Sequence, residues 1–231
     1  MCSTGWRIPR PLLITLVLMG LLTPASAAAS TPGRSPVVLL HGWMSSSLPY
    51  LAMGVSLRQD GYPVYMIDFP GQDNLVNAAV VADVVDRVAA RHHSRVHLVG
   101  HSMGGLSTRH YIKFLGGARR VDQYVSMGSP QYGSAEACLL PESGGGQMCR
   151  TSRFLAELNA GDDTPGPVRY TTIRSTEDVP ARATWLDGGA CFHDIPGVPH
   201  VLEPVSAAFI AAVRKTLGGT CPGRFVVLPP S

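Results

Sequence analysis

The chain has 231 residues, 45% of them apolar and 15% charged, with a formal charge of +3. This composition fits one globular domain with a substantial core and excludes a disordered chain. A charge so close to neutral gives no footing for nucleic acid.

The N-terminus reads as an export signal. Arg7 and Arg10 precede an apolar run at 12–22, and Ala25-Ser26-Ala27 places small residues where cleavage is determined. The run is short for a membrane anchor. Cleavage is expected after Ala27, with Ala29 as the alternative. Residues 1–27 hold two arginines and no acid, so the mature chain of 204 residues, 28–231, carries +1. A secreted, extracellular protein follows.

The mature chain alternates strand and helix patterns. A buried strand at 36–40 ends in His41-Gly42-Trp43, and a loop covers 44–50. A helix at 51–60 stops at Gly61, and a strand at 62–67 ends at Asp68. Val80, Val81, Val84, Val85 and Val88 form one apolar stripe of a helix at 77–91. The strand at 95–99 runs into a glycine turn and a helix at 103–115, which Gly116-Gly117 stops. A strand follows at 121–127, then a Gly/Ser/Cys-rich stretch at 128–150 and a short helix at 152–158. The chain continues with a turn-rich linker at 159–167, a strand at 168–174, a loop at 175–188 and a short strand at 189–195. An amphipathic helix at 204–217 comes last, and the tail after Cys221 shows no pattern. Such alternation predicts an α/β fold with a mostly parallel sheet of about six strands and helices on both faces. Sites in such sheets lie at the carboxyl ends of the strands.

The chemistry centres on Gly100-His101-Ser102-Met103-Gly104. This is a G-x-S-x-G nucleophile elbow with a strand before it and a helix after it. A serine hydroxyl is a poor nucleophile unless it is held beside a base. The sharp turn lifts Ser102 above the sheet, and the following helix aims free N–H groups at a developing oxyanion. Chain order on this scaffold is serine, acid, histidine. His193 and His200 are the downstream histidines; His200 leads because it sits in a loop directly before the last helix. For the acid, Asp178 lies just past a late strand, with Glu177, Asp187 and Asp194 as rivals. The oxyanion hole is expected from the backbone amides of Met103 and Trp43. His41 reads as a brace for that loop. Trp43, Met44, Leu48, Tyr132, Val201 and Leu202 are candidates for an apolar acyl surface.

Cys138, Cys149, Cys191 and Cys221 remain after export, an even number that suggests two disulfides. Of the three pairings, the two local ones are favoured: Cys138 with Cys149, and Cys191 with Cys221. No C-x-x-C pair supports zinc, no metal motif is evident, and no cofactor is expected.

The stretch Val-His-Leu-Val-Gly-His-Ser-Met-Gly-Gly, continuing through Thr108, Tyr111, Ile112, Lys113 and Leu115 to Gly117, resembles the small secreted bacterial triacylglycerol lipases of the Bacillus lipase A type and their actinobacterial counterparts. Residues 37–42, Ser175-Thr176-Glu177-Asp178 and Gly197-Val198-Pro199-His200 are similar to that family's oxyanion turn, acid loop and histidine loop. The resemblance implies an α/β-hydrolase fold, ester hydrolysis and the triad Ser102, Asp178, His200. The stretch 130–165 is longer than that pattern and carries two cysteines, which predicts a minimal or partial lid beside the site. The substrate is expected to be a lipid or other ester, met by transient contact with a lipid interface, and the protein a monomer. Alternatives are a short-chain carboxylesterase, a cutinase or polyesterase, an extracellular acyltransferase, and a non-catalytic binding member of the fold.

Overall fold

The computed structural model describes residues 33–178 and 181–227; the expected export signal at 1–27 lies outside them. Strand β1 (Val37–Leu40) is buried at every position. Successive side chains point to opposite faces of a sheet, so a strand covered on both sides must be apolar throughout. Val38 and Leu40 face a core built on the helices at Asn74–His92 and Met103–Phe114; Val37 and Leu39 face one built on the helices at Leu51–Gln59 and Ala207–Leu217.

After β1 a short 3-10 turn (Leu48–Tyr50) leads into α1 (Leu51–Gln59), then β2 (Val64–Ile67). Helix α2 (Asn74–His92) starts three residues before the valine stripe suggested, because Asp73 caps it by accepting from the amides of Leu75 and Val76. Strand β3 (Val96–His101), α3 (Met103–Phe114) and β4 (Val121–Met127) follow. The stretch after β4 carries three short 3-10 turns and one short helix, α4 (Arg153–Asn159), joined by turns and irregular backbone. Next come β5 (Arg169–Ser175), the one-turn α5 (Ala181–Thr184), β6 (Ala190–Ile195), a 3-10 segment (His200–Val205), α6 (Ala207–Leu217) and β7 (Arg224–Val226). The last helix starts at Ala207 and not at 204, since Pro204 lies inside the 3-10 turn and has no N–H for a helical ladder.

The sheet has seven strands in the order β2-β1-β3-β4-β5-β6-β7. Six are parallel, as expected; the seventh is an antiparallel edge on β6. Leu40 aligns with Gly100, Gly100 with Ser126, and Met127 with Ile173. This register brings the ends of β1, β3, β4 and β5 to one edge. Cys138 pairs with Cys149, and Cys191 pairs with Cys221. Met103 and Leu106 pack with Ala137, Met148, Phe154, Leu155 and Leu158 in a third, smaller core, so α4 is docked on α3 by its apolar side. Among the described residues no helix is long and apolar enough to cross a membrane.

Candidate active site

Ser102 stands between β3 and α3 at φ 53° and ψ −126°, a conformation a side chain adopts only under strain. Glycines make the turn fit. A Cβ on Gly100 would lie within 3 Å of the Gly104–Gly105 backbone, and one on Gly42 would lie 2.8 Å from the Ser102 Cβ. The Ser102 amide donates to the Met127 carbonyl at 2.8 Å, which fixes the elbow to β4.

His200 reaches this elbow from the 3-10 turn that follows β6. Its Nδ1 lies 2.6 Å from Asp178 Oδ2, the distance of a charge-assisted hydrogen bond. His200, Ser102, His101, Trp43, Met44 and Val201 share a cleft of about 150 Å³. The two loops that carry Asp178 and His200 meet at Ser175. Its hydroxyl accepts from the amides of Glu177 and Val198, both at 3.2 Å, and its carbonyl accepts from the Asp178 amide. Gly128 stands beneath them: a Cβ there would fall within 3.0 Å of Glu203 Oε2, His200 Nδ1 and Asp178 Oδ2.

The other candidate acids and the other candidate base have surroundings of their own. Glu177 is exposed. Asp187 accepts from the Tyr132 hydroxyl at 2.9 Å, and Asp194 pairs with Arg174 at 2.8 Å. His193 sits inside β6, opposite Ile173, where burial lowers its pKa. His41 braces the loop after β1. Its Nε2 accepts from the Phe69 amide at 2.9 Å, so Nδ1 carries the proton and donates to the Gly42 carbonyl at 2.8 Å. Trp43 Nε1 donates to the Gly144 carbonyl at 2.8 Å, and the Met44 amide, at φ 49°, donates to Gln72.

Of the apolar candidates, Trp43, Met44 and Val201 line the cleft. Leu48 and Leu202 are exposed but do not line it. Tyr132 is turned elsewhere: its hydroxyl donates to Asp163 and Asp187. Asp163 is buried with Arg109, 3.8 Å away, and Arg109 also donates to Asn159. This polar network pins the stretch after β4 to α3.

Two groups beside His200 escape a reading of the sequence. The His101 ring lies tilted by 32° against that of His200 with centroids 4.6 Å apart, and its Nε2 lies 3.1 Å from the His200 carbonyl. Burial, helped by His200, lowers its pKa to about 3, so it stays neutral. Glu203 is fully buried. Burial, reinforced by Asp178 and opposed by the Ser175 amide, raises its pKa to about 9. Its place three residues after His200, one helical turn on, is the only local signal.

Comparison with known proteins agrees with this architecture. The chain is 29% identical over 138 residues to mouse lysosomal thioesterase PPT2, covering 55% of this chain and 45% of that protein. It is 35% identical over 124 residues to the Drosophila melanogaster PPT2 homolog, covering 51% and 42%. It thus spans less than half the length of these relatives. The propeptide form of Bacillus licheniformis lipase BlEst2 superposes with a TM-score of 0.70 at 17% identity, covering 84% of this chain and 52% of that one. The profile described as "Alpha/beta hydrolase family" matches residues 37–227, a span that holds the strained serine, the His200–Asp178 pair and all seven strands, and the chain belongs to that family.

Proposed function

We propose that this protein is a secreted serine hydrolase that cleaves carboxylic esters of lipids, in the manner of the Bacillus lipase A type. The observation that carries the reading is the 2.6 Å His200–Asp178 contact, with His200 and Ser102 in one cleft. Ser102 attacks the ester carbonyl, and His200 takes its proton. Asp178 holds the imidazole tautomer and stabilises the imidazolium. The amides of Met103 and Trp43 receive the oxyanion; losing one such donor costs roughly 3 kcal/mol in comparable sites. An acyl-enzyme forms, and water activated by His200 releases the acid.

The cleft mouth suits a lipid. Met44, Leu48, Val201 and Leu202 are exposed apolar side chains on the loops around it, and they would rest transiently on a lipid surface. Helix α4 is seven residues long and docked on α3, which supports an acyl groove without a mobile helical lid. Two cystine bridges and the N-terminal leader pattern favour export.

The similarity to PPT2 favours a second reading, hydrolysis of acyl thioesters by the same machinery. Purified protein should be assayed on p-nitrophenyl esters from C2 to C16, on emulsified triglyceride and on palmitoyl thioester. Highest kcat/KM on medium-chain oxygen esters supports the first reading; preference for the thioester selects the second. No turnover of any of them, with intact fold, removes both.

A further inference from the structure

We propose that Glu203 is a reserve carboxyl beside the catalytic set, one that positions the Asp178 loop in the native site and takes the negative charge that faces His200 when Asp178 is absent. The inference rests on the triad reading above and adds to it a residue that reading does not use.

Glu203 is anchored at one oxygen only. Oε1 accepts the Ser175 amide at 3.2 Å. Oε2 is buried without a hydrogen-bond partner in place, 3.9 Å from His200 Nδ1 and 3.3 Å from His101 Nε2. The gap in front of it exists because residue 128 is glycine: a Cβ there would touch Oε2, His200 Nδ1 and Asp178 Oδ2 together. A closure of about 1 Å would bring Oε2 to hydrogen-bonding distance of Nδ1.

Charge decides which carboxyl is ionised. Two carboxylates around one imidazole repel, so one keeps its proton. Glu203 is the more buried of the two, and Asp178 further disfavours its ionisation. The groups facing it from other elements do not offset this. His101, at the end of β3, is held neutral, and Tyr50, before α1, has its phenol pKa raised by burial and by Glu203 itself. His200, on its own turn, is already bonded to Asp178. In the native site Glu203 is therefore a neutral positioning residue that holds Ser175, and through it the Asp178 loop. Without Asp178 the repulsion ends, Glu203 ionises more readily, and its carboxylate faces the imidazolium.

The test is a double-mutant cycle: kcat/KM across pH 5–10 on a soluble p-nitrophenyl ester for the wild type, Glu203→Gln, Asp178→Ala and the double variant. Alanine at 178 avoids an amide that would hold the wrong imidazole tautomer. Asp178→Ala should lose about a hundredfold or more, and the double variant about a further tenfold. Glu203→Gln in the Asp178 background should lose less than that tenfold. The acid limb of Asp178→Ala should be displaced relative to the double variant, a change that simple loosening would not produce. Equal rates and equal pH profiles for Asp178→Ala and the double variant overturn the proposal and leave the triad reading standing. A double variant as active as the wild type sinks both. Should Glu203→Gln fail to fold, NMR titration of the His200 ring protons in Asp178→Ala decides: two coupled inflections support a Glu203 carboxylate facing the imidazole, and a single-site curve overturns it.

Discussion

The indole Nε1 of Trp43 donates to the carbonyl of Gly144 across 101 residues of chain, at 2.8 Å. That bond couples the proposed oxyanion loop to the loop closed by Cys138 and Cys149. Trp43→Phe keeps the ring and removes the donor, and a bond of this kind contributes about 1 kcal/mol. The expected result is a fall in kcat of about fivefold with little change in KM, since the proposed role of the Trp43 amide is in the transition state. An unchanged kcat would show that the Trp43–Gly144 bond does not position the proposed oxyanion loop. Mild reduction of the loop disulfide should act in the same direction.

Ser102→Ala and His200→Ala should fold and lose about 10⁴-fold or more in kcat, whereas His193→Ala keeps most of its activity because His193 lies inside β6. Steady-state kinetics on folded variants checks this. Phosphonate labelling at any other serine would reassign the nucleophile.

For the acid, Asp178→Asn should cost far more rate than Glu177→Gln. Glu177 is exposed, while Asp178 is bonded to His200. Similar small losses for both would reject Asp178.

Removing Asp163 leaves the Arg109 guanidinium buried with its ion pair gone. Breaking one partner of a buried pair typically costs 3–5 kcal/mol. Asp163→Ala should lower stability by about that much in urea unfolding, with kcat per folded molecule nearly intact. A loss below about 1 kcal/mol would mean that Asn159 and the surrounding carbonyls suffice for Arg109.

Stability should peak near pH 6.5. His97 and His101 are held neutral by burial down to about 4 and about 3. The unfolded chain protonates both near 6.5, so stability falls as pH drops below that value. Glu203 works on the other side. Folded, it keeps its proton up to about 9, whereas unfolded it releases it near 4.5. Its contribution is therefore full below 4.5 and is lost as pH rises towards 9. Between 4.5 and 6.5 the buried histidines, His97 and His101 foremost, outweigh one carboxyl; above 6.5 Glu203 dominates. Calorimetric Tm against pH should show this maximum, and Glu203→Gln should flatten the alkaline limb. A maximum above pH 8 would contradict it.

The candidate site was legible in the sequence where its signal is local. Gly100, Ser102 and Gly104 announce a strained turn within five residues, and the parallel strands announce themselves as continuous apolar runs. Legibility fails where a role depends on distant partners. Tyr132 has the character of an acyl-pocket residue, yet Asp163 and Asp187 claim its hydroxyl. Glu203 falls in the loop just before the last expected helix, with no pattern to single it out; only the fold places it against Ser175, 28 residues earlier. Strand β7 has three residues, Arg-Phe-Val, too few for a period, and its pairing comes from its neighbour.

That short strand decides how the protein should be produced. Ala190, Cys191 and Phe192 of β6 pair with Val226, Phe225 and Arg224, and the Cys191–Cys221 bridge tethers the segment that leads there. An uncovered strand edge invites pairing with another chain. In a reducing cytosol the tether is lost, the three-residue strand can peel away, and the bared edge would seed inclusion bodies. Periplasmic or secretory expression, in which the cystine forms before the chain accumulates, is the route that keeps the edge closed.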